Sequence, residues 1–355
     1  MKIKNGFALF LVFSLFASLL GVFPASAQSG VSPMLEKGPQ ASPANVMSTT
    51  DPSYSLFTCQ VGLVSFTCYD PYQMRHAYGI DSLISAGFDG FGRTIIIVDA
   101  YQSPNIVQQL NYFDNFYSLP GLNGLGGVSD PNLGTFTQIA PDSLTPFDSG
   151  DPNMVGWAEE ISLDVLWAHA IAPRANIVLD LAKSNNDTDI LSATKYAVDN
   201  DLGDVISQSF GEAEACMDPS LLVTQHQVFA DATMKGITIF ASSGDTGAAQ
   251  PTCDNTSYMK AASTPASDPL VTGVGGTELH AAGYCLAGLG CDPTANPAPG
   301  TYQGEIAWNE FDSEIATGGG FSILYDEPPF QKGTLHGGKQ RGVPDVAYNA
   351  AVEHG

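Results

Sequence analysis

Two acidic side chains four residues apart in an apolar segment carry the clearest chemical signal in this chain. In Trp157-Ala-Glu-Glu-Ile-Ser-Leu-Asp-Val-Leu-Trp-Ala-His-Ala170, a helical pitch puts Glu160 and Asp164 on one face, roughly 5–6 Å apart at their β-carbons. Like charges at that spacing destabilise a helix, and an apolar setting penalises the double charge further. One proton shared between them relieves both effects, so the pair is expected to titrate as a unit with a raised apparent value. Such a pair can hold a general base tuned by its neighbour under acidic conditions. A solvated acidic stripe on a surface helix is the competing reading, and Glu159, off that face, belongs with solvent. A second signal is Ile237-Thr-Ile-Phe-Ala-Ser-Ser-Gly-Asp-Thr-Gly247, an apolar strand running into a glycine-flanked turn. Asp245 then sits at a strand's carboxyl end, where a sheet enzyme keeps its site. Kept protonated there, it can donate to a developing oxyanion. The alternative is a turn aspartate bonding its own backbone.

The elements that must position these groups alternate. Strands are expected at Thr94–Val98, Asn176–Leu181, Asp204–Ser209, Ile237–Ser242 and Leu270–Val274. Helices are expected at Pro104–Tyr117, Gly156–Ala170, Thr188–Asp199 and Pro219–Lys235. That order predicts a doubly wound α/β fold, a mostly parallel sheet with helices on both faces. The stretches 118–155 and 278–304 read as surface loops.

Lys2 and Lys4, an apolar run from Phe7 to Phe23 and Ala25-Ser-Ala27 form an export signal over residues 1–27. Residues 28–70 read as a flexible leader and 71–355 as one domain. Thirteen basic against 37 acidic residues give a net charge of −24, which argues against nucleic acid or an anionic membrane as partner. A secreted monomer free of the membrane after signal cleavage is expected. Six cysteines in an exported chain imply disulfides. Short spacing favours Cys59–Cys68 and Cys285–Cys291, leaving Cys216–Cys253. No CxxC or histidine cluster suggests a metal site.

These segments resemble a known family. Glu160-Ile-Ser-Leu-Asp164 with Ala170-Ile-Ala-Pro-Arg-Ala-Asn-Ile177 resembles the catalytic helix and following strand of the sedolisins, the serine-carboxyl peptidases. Ile206-Ser-Gln-Ser-Phe-Gly211 resembles their substrate strand, and Ser242-Ser-Gly-Asp245 their oxyanion turn. Ser263–Pro269, Val271–Thr277, Glu305–Asn309, Gly318–Ser322, Pro328–Gln331 and Arg341–Asp345 follow in family order. The resemblance implies a subtilisin-like fold and hydrolysis of polypeptide substrates in acid. It makes Glu160 the general base, Asp164 its partner and Asp245 the oxyanion donor. Ser209, Phe210 and Gly211 would pair with the substrate backbone. It also implies calcium, and places both the calcium ligands and the nucleophilic serine, in a Ser-Gly-Thr-Ser-type turn, beyond Gly355. The chain as written is therefore expected to be an inactive fragment; Ser322 is not that serine, and residues 28–70 are too short for the family's folded propeptide.

Three rivals compete. Asp99 ends the strand Ile95–Val98 as a subtilisin triad aspartate would, but no His-Gly-Thr-His block follows, and His169 falls on the far side of its helix from Glu160. Asp148-Ser-Gly150 with Asp245-Thr-Gly247 imitates a pepsin pair, which the strand–helix alternation contradicts. A secreted binding protein, pseudoenzyme or half of a split enzyme on the same scaffold is a different class. The intact Glu160, Asp164 and Asp245 weigh against it.

Overall fold

The computed structural model describes residues 69–127, 129–282, 298–311, 314–334 and 338–352, with the backbone of 32–33. The helices are α1 (Pro71–Ala77), α2 (Ile80–Ser85), α3 (Ile106–Tyr117), α4 (Pro152–Ile171), α5 (Asp187–Asp199) and α6 (Pro219–Lys235). The strands that build the site are β1 (Ser32–Pro33), β2 (Thr94–Ala100), β3 (Phe136–Ile139), β4 (Asn176–Ala182), β5 (Val205–Gln208) and β6 (Phe210–Ala213). Next come β7 (Thr238–Ser242), β8 (Ser263–Thr264), β9 (Val271–Ala281), β10 (Tyr302–Ala307), β11 (Ile315–Ala316) and β12 (Val346–Asn349).

The main sheet runs β10-β9-β7-β5-β2-β4-β3, with β12 also paired to β9. Every pairing in it is parallel except β9–β10. Alternation along β2 sends Ile96 and Val98 into a core with Val198, Val228 and Phe229 of α5 and α6. Ile97 goes to the opposite face, against Ile106 and Leu110 of α3 and Ile161 and Val165 of α4. Both faces of the sheet are thus covered, as a parallel sheet requires.

Helix starts follow local chemistry. The Asp151 side chain accepts from the Asn153 amide at 2.9 Å, and Pro152 takes the first helical position of α4, where its missing N–H costs nothing. Asp218 caps α6 in the same way, and Gly236, at φ +81°, ends it. The expected strand and helix order holds, with two corrections. The stretch 118–155 is not all loop: β3 adds to the sheet edge and α4 begins at Pro152. Nor is 278–304, since β9 runs to Ala281 and β10 starts at Tyr302. Among the described residues no helix is long and apolar enough to cross a membrane. The export signal lies outside the described residues.

Cys216 and Cys253 are joined, with the sulfurs 2.07 Å apart; Cys59, Cys68, Cys285 and Cys291 lie outside the described residues. The bridge spans a sequence separation of 37, so the loop-closure model assigns it about 3–4 kcal/mol. A Cys216→Ala/Cys253→Ala variant is expected to lose about that much in a urea unfolding curve; an unchanged midpoint would show that the bridge is not a staple.

Candidate active site

Helix α4 lies across β2 and β4 and is apolar on nearly every side, with Trp157, Ile161 and Val165 fully buried. Glu160 is carried inward with them and is 2% exposed, its Oε2 without a hydrogen-bond partner. Asp164, one turn on, accepts a hydrogen bond from the Ser209 hydroxyl at 2.9 Å. The helix therefore places this pair against the β5–β6 junction rather than in solvent, and the acidic-stripe alternative fails.

Asp99 joins them. It sits at the end of β2, is wholly buried, and neither of its carboxylate oxygens has a partner. Asp245 lies three residues beyond β7 in a turn whose geometry depends on two glycines. Gly244 adopts φ +108°, and a β-carbon there would lie 2.6 Å from Gln250 Nε2. A β-carbon on Gly318 would fall 2.0 Å from the Ser243 carbonyl oxygen, so this backbone approach admits only glycine. The Ala316 amide donates to the Asp245 carbonyl at 2.8 Å, and the Ser243 hydroxyl to the Gly318 carbonyl at 2.8 Å. Strand β11 and the glycine block behind it thus fix the aspartate turn.

The electrostatics of the four carboxyls are joint. Burial first, then the charges of Asp164, Asp99 and Asp245, hold Glu160 well above the ordinary carboxylate range. Burial raises Asp164 to about 6 against the Ser209 hydroxyl, which pulls it down. Burial, then Asp164, raises Asp99. Burial alone lifts Asp245 to about 8. Such a group retains protons in acid, and its members titrate together.

The neighbouring strand offers an edge. Phe210 is core, 1% exposed, with its ring centroid 6.2 Å from that of Trp157, so at this position β6 presents backbone rather than a side chain. That backbone pairs antiparallel with β1, Ser32 opposite Gly211 and Pro33 opposite Phe210.

The structure thus gathers Glu160, Asp164, Asp245 and Ser209 at the carboxyl ends of the parallel strands, with Phe210 and Gly211 alongside. Asp99, considered in the sequence only as a rival triad member, is the missed component; a lone acid closing the apolar run Ile95–Val98 was its signal. Asp148 is an exposed turn residue accepting from the Gly150 amide at 2.8 Å. His169 is buried with Nε2 3.0 Å from Asp114 Oδ1. For calcium, no group of three or more His, Cys, Asp or Glu among the described residues could hold a metal ion.

No protein-family model matches the chain. It is similar to kumamolisin of Bacillus sp. (strain MN-32), 29% identical over 296 residues, covering 80% of this chain and 46% of that protein. It is also similar to sedolisin of Pseudomonas sp. (strain 101), 33% identical over 178 residues, 47% of this chain and 27% of that protein. The solved structure of Pseudomonas sedolisin, a serine-carboxyl proteinase bound to pseudo-iodotyrostatin, superposes with a TM-score of 0.63 at 24% identity, covering 81% of this chain and 72% of that one. These relatives are sedolisin-family proteins, and the likeness to the solved structure is one of fold. The chain spans less than half the length of these two curated relatives. Its fold is the sedolisin one, a subtilisin-like α/β sheet.

A site of buried carboxyls of this kind makes folding depend on pH. Asp164 and Asp245, and the fully buried Asp180 at about 8, bind protons more tightly folded than unfolded. Their stabilisation is complete below an unfolded value of ~4 and is lost as pH rises through about 6 to 8. The melting temperature is expected to fall, on the order of 10 °C, between pH 4 and pH 8 by calorimetry; a rise over that interval would contradict the assignment of protonated buried acids.

Proposed function

We propose that this chain carries the carboxyl machinery of an exported peptidase that cleaves polypeptides in acid. The observation that carries the reading is the convergence of Glu160, Asp164, Asp99 and Asp245 beside the β6 edge. A substrate strand would add to β6 through main-chain hydrogen bonds, as β1 does. Glu160, protonated at rest, would pass its own proton to Asp164 as its other oxygen accepts that of an attacking serine hydroxyl, whose oxygen bonds to the scissile carbonyl carbon. Asp164, steadied as the ionised member by the Ser209 hydroxyl, would take that proton up and, with the buried Asp99 beside it, set the basicity of Glu160. Asp245, protonated, would donate to the oxyanion as charge develops. Collapse of that intermediate breaks the C–N bond, and the leaving amine takes the proton back from Glu160; water then repeats the sequence on the acyl group. The attacking hydroxyl is not assigned to any described residue: the 355 residues contain no Ser-Gly-Thr-Ser turn, and on their own they are proposed not to turn over substrate.

Support for export comes from the basic, apolar and small-residue order of residues 1–27. Names of the relatives support peptide-bond hydrolysis, and the low count of basic residues suits a protein that works when carboxylates are protonated.

The test uses the natural full-length product on an unfolded protein substrate in acid. Glu160→Gln is expected to lower kcat by at least about 10²–10⁴, and wild-type turnover in that variant would overturn the assigned base. Asp245 acts only while protonated, so activity should fail as pH rises through its titration. Asp245→Ala is expected to lose about 10²–10³. Asp245→Asn, which keeps an N–H donor at any pH, should move the alkaline limb upward; an unmoved limb would remove Asp245 from the oxyanion role.

A further inference from the structure

Arg75 is a buried cation to which no acid is paired. It stands on α1 and is 8% exposed, and its Nε–H donates to the Ala170 carbonyl near the end of α4 at 2.6 Å. Its Nη2 is buried and has no hydrogen-bond partner. The Tyr72 ring lies against the guanidinium, its centroid 5.7 Å from Cζ, and is pinned there by the Tyr72 hydroxyl, which donates to the Tyr117 carbonyl at 2.5 Å. None of the ion pairs among the described residues includes Arg75. Burial lowers its pKa, and only the charge of Tyr72 opposes that. A guanidinium does not shed its proton to escape burial, so the charge remains, and an uncompensated buried charge is costly.

The second, independent observation is the space beside it. A cavity of about 350 Å³ opens between α1, α2 and the segment at Pro299, and Arg75 lines it together with Tyr72, His76, Asp81, Ile84 and Pro299. That volume is in the range of small-molecule sites. The walls are built in. Asp70 and Gln73 cap α1 reciprocally, and a β-carbon on Gly300 would fall 2.8 Å from the Gln73 Cα, so the Pro299 wall is pressed onto α1. The one acid in the lining, Asp81, is already engaged: its Oδ2 lies 2.8 Å from His76 Nδ1, and its Oδ1 accepts the Ser82 amide at 2.7 Å. Ile84, Pro299 and the Tyr72 ring supply apolar surface. Arg75 is left as a cation without a counter-ion among apolar walls.

We infer that this cavity binds a small organic carboxylate, its charged end on the Arg75 guanidinium and its apolar body against Ile84, Pro299 and the Tyr72 ring. With Nε–H given to Ala170, Nη1 and Nη2 remain as a fork whose N–H groups match the two oxygens of a carboxylate. Water would offer Nη2 an acceptor but no charge, and the buried cation requires both. Ala170 is ten residues from Glu160, about 15 Å along the helix. The cavity is therefore separate from the carboxyl cluster, and the inference does not rest on the function proposed for that cluster.

The test titrates 3-phenylpropionate into the full chain at a pH of about 6, where a carboxylate is ionised, and follows the Arg75 Nε–H resonance by nitrogen-15 NMR. Two controls run beside it: 3-phenylpropionamide, the same shape without the charge, and sodium sulfate, the charge without the apolar body. The acid is expected to shift the Arg75 resonance and to bind at least about tenfold more tightly than either control. Arg75→Gln should abolish that preference. Ile84→Trp, which fills the cavity and leaves the guanidinium in place, should block the acid as well; if Arg75→Gln fails to fold by circular dichroism, Ile84→Trp decides. Equal binding of acid and amide by the wild type overturns the site, because the charge is then not read. Sulfate binding as tightly as the acid overturns the assignment to an organic carboxylate. Preference for the acid that survives in a folded variant overturns the location. No binding of the acid at about 20 mM, where even a weak ligand of this size is seen, overturns the inference outright.

Discussion

Protons do here what cations do in most buried acidic sites. Glu160, Asp164, Asp99 and Asp245 crowd one region under an apolar helix, and among the described residues no lysine or arginine is paired with any of them. Four carboxylates cannot all be ionised in such a place. The composition reflects the same condition, with 37 acidic side chains and only 13 basic ones to neutralise them. A site of this kind is intact in acid and repels itself when the protons leave.

Much of the frame was legible because hydrophobic period and length agree along this chain. Pro219–Lys235 matches its expected bounds, framed by a capping aspartate and a terminal glycine. Helix α4 was placed from its apolar run, but its first turn was missed: Asp151 and Pro152 look like loop residues until their cap is seen. The edge strand β3 escaped because Phe136–Ile139 is short and stands among glycines and prolines.

The pairing of Glu160 with Asp164 was readable because helical spacing is local. Asp99 was not, since no spacing rule joins residue 99 to residue 160; only the docking of α4 across β2 does so. Phe210 shows the opposite limit. Its motif suggested substrate pairing, and the backbone offers that, yet its side chain is committed to Trp157 and the core. The glycines at 244 and 318 link fold to site in one step: any side chain there would push the aspartate turn away from the strand ends.

The most direct measurement is a carbon-13 NMR titration of the side-chain carboxyls in the full chain, with Glu160→Gln used to assign the resonance. A proton held within the cluster requires that the Glu160 carboxyl remain protonated well above the ordinary glutamate range, and that Asp164→Asn shift its titration downward. A Glu160 resonance that titrates near ~4.3, like an exposed glutamate, and does not move in Asp164→Asn, would contradict the shared-proton site and the chemistry built on it.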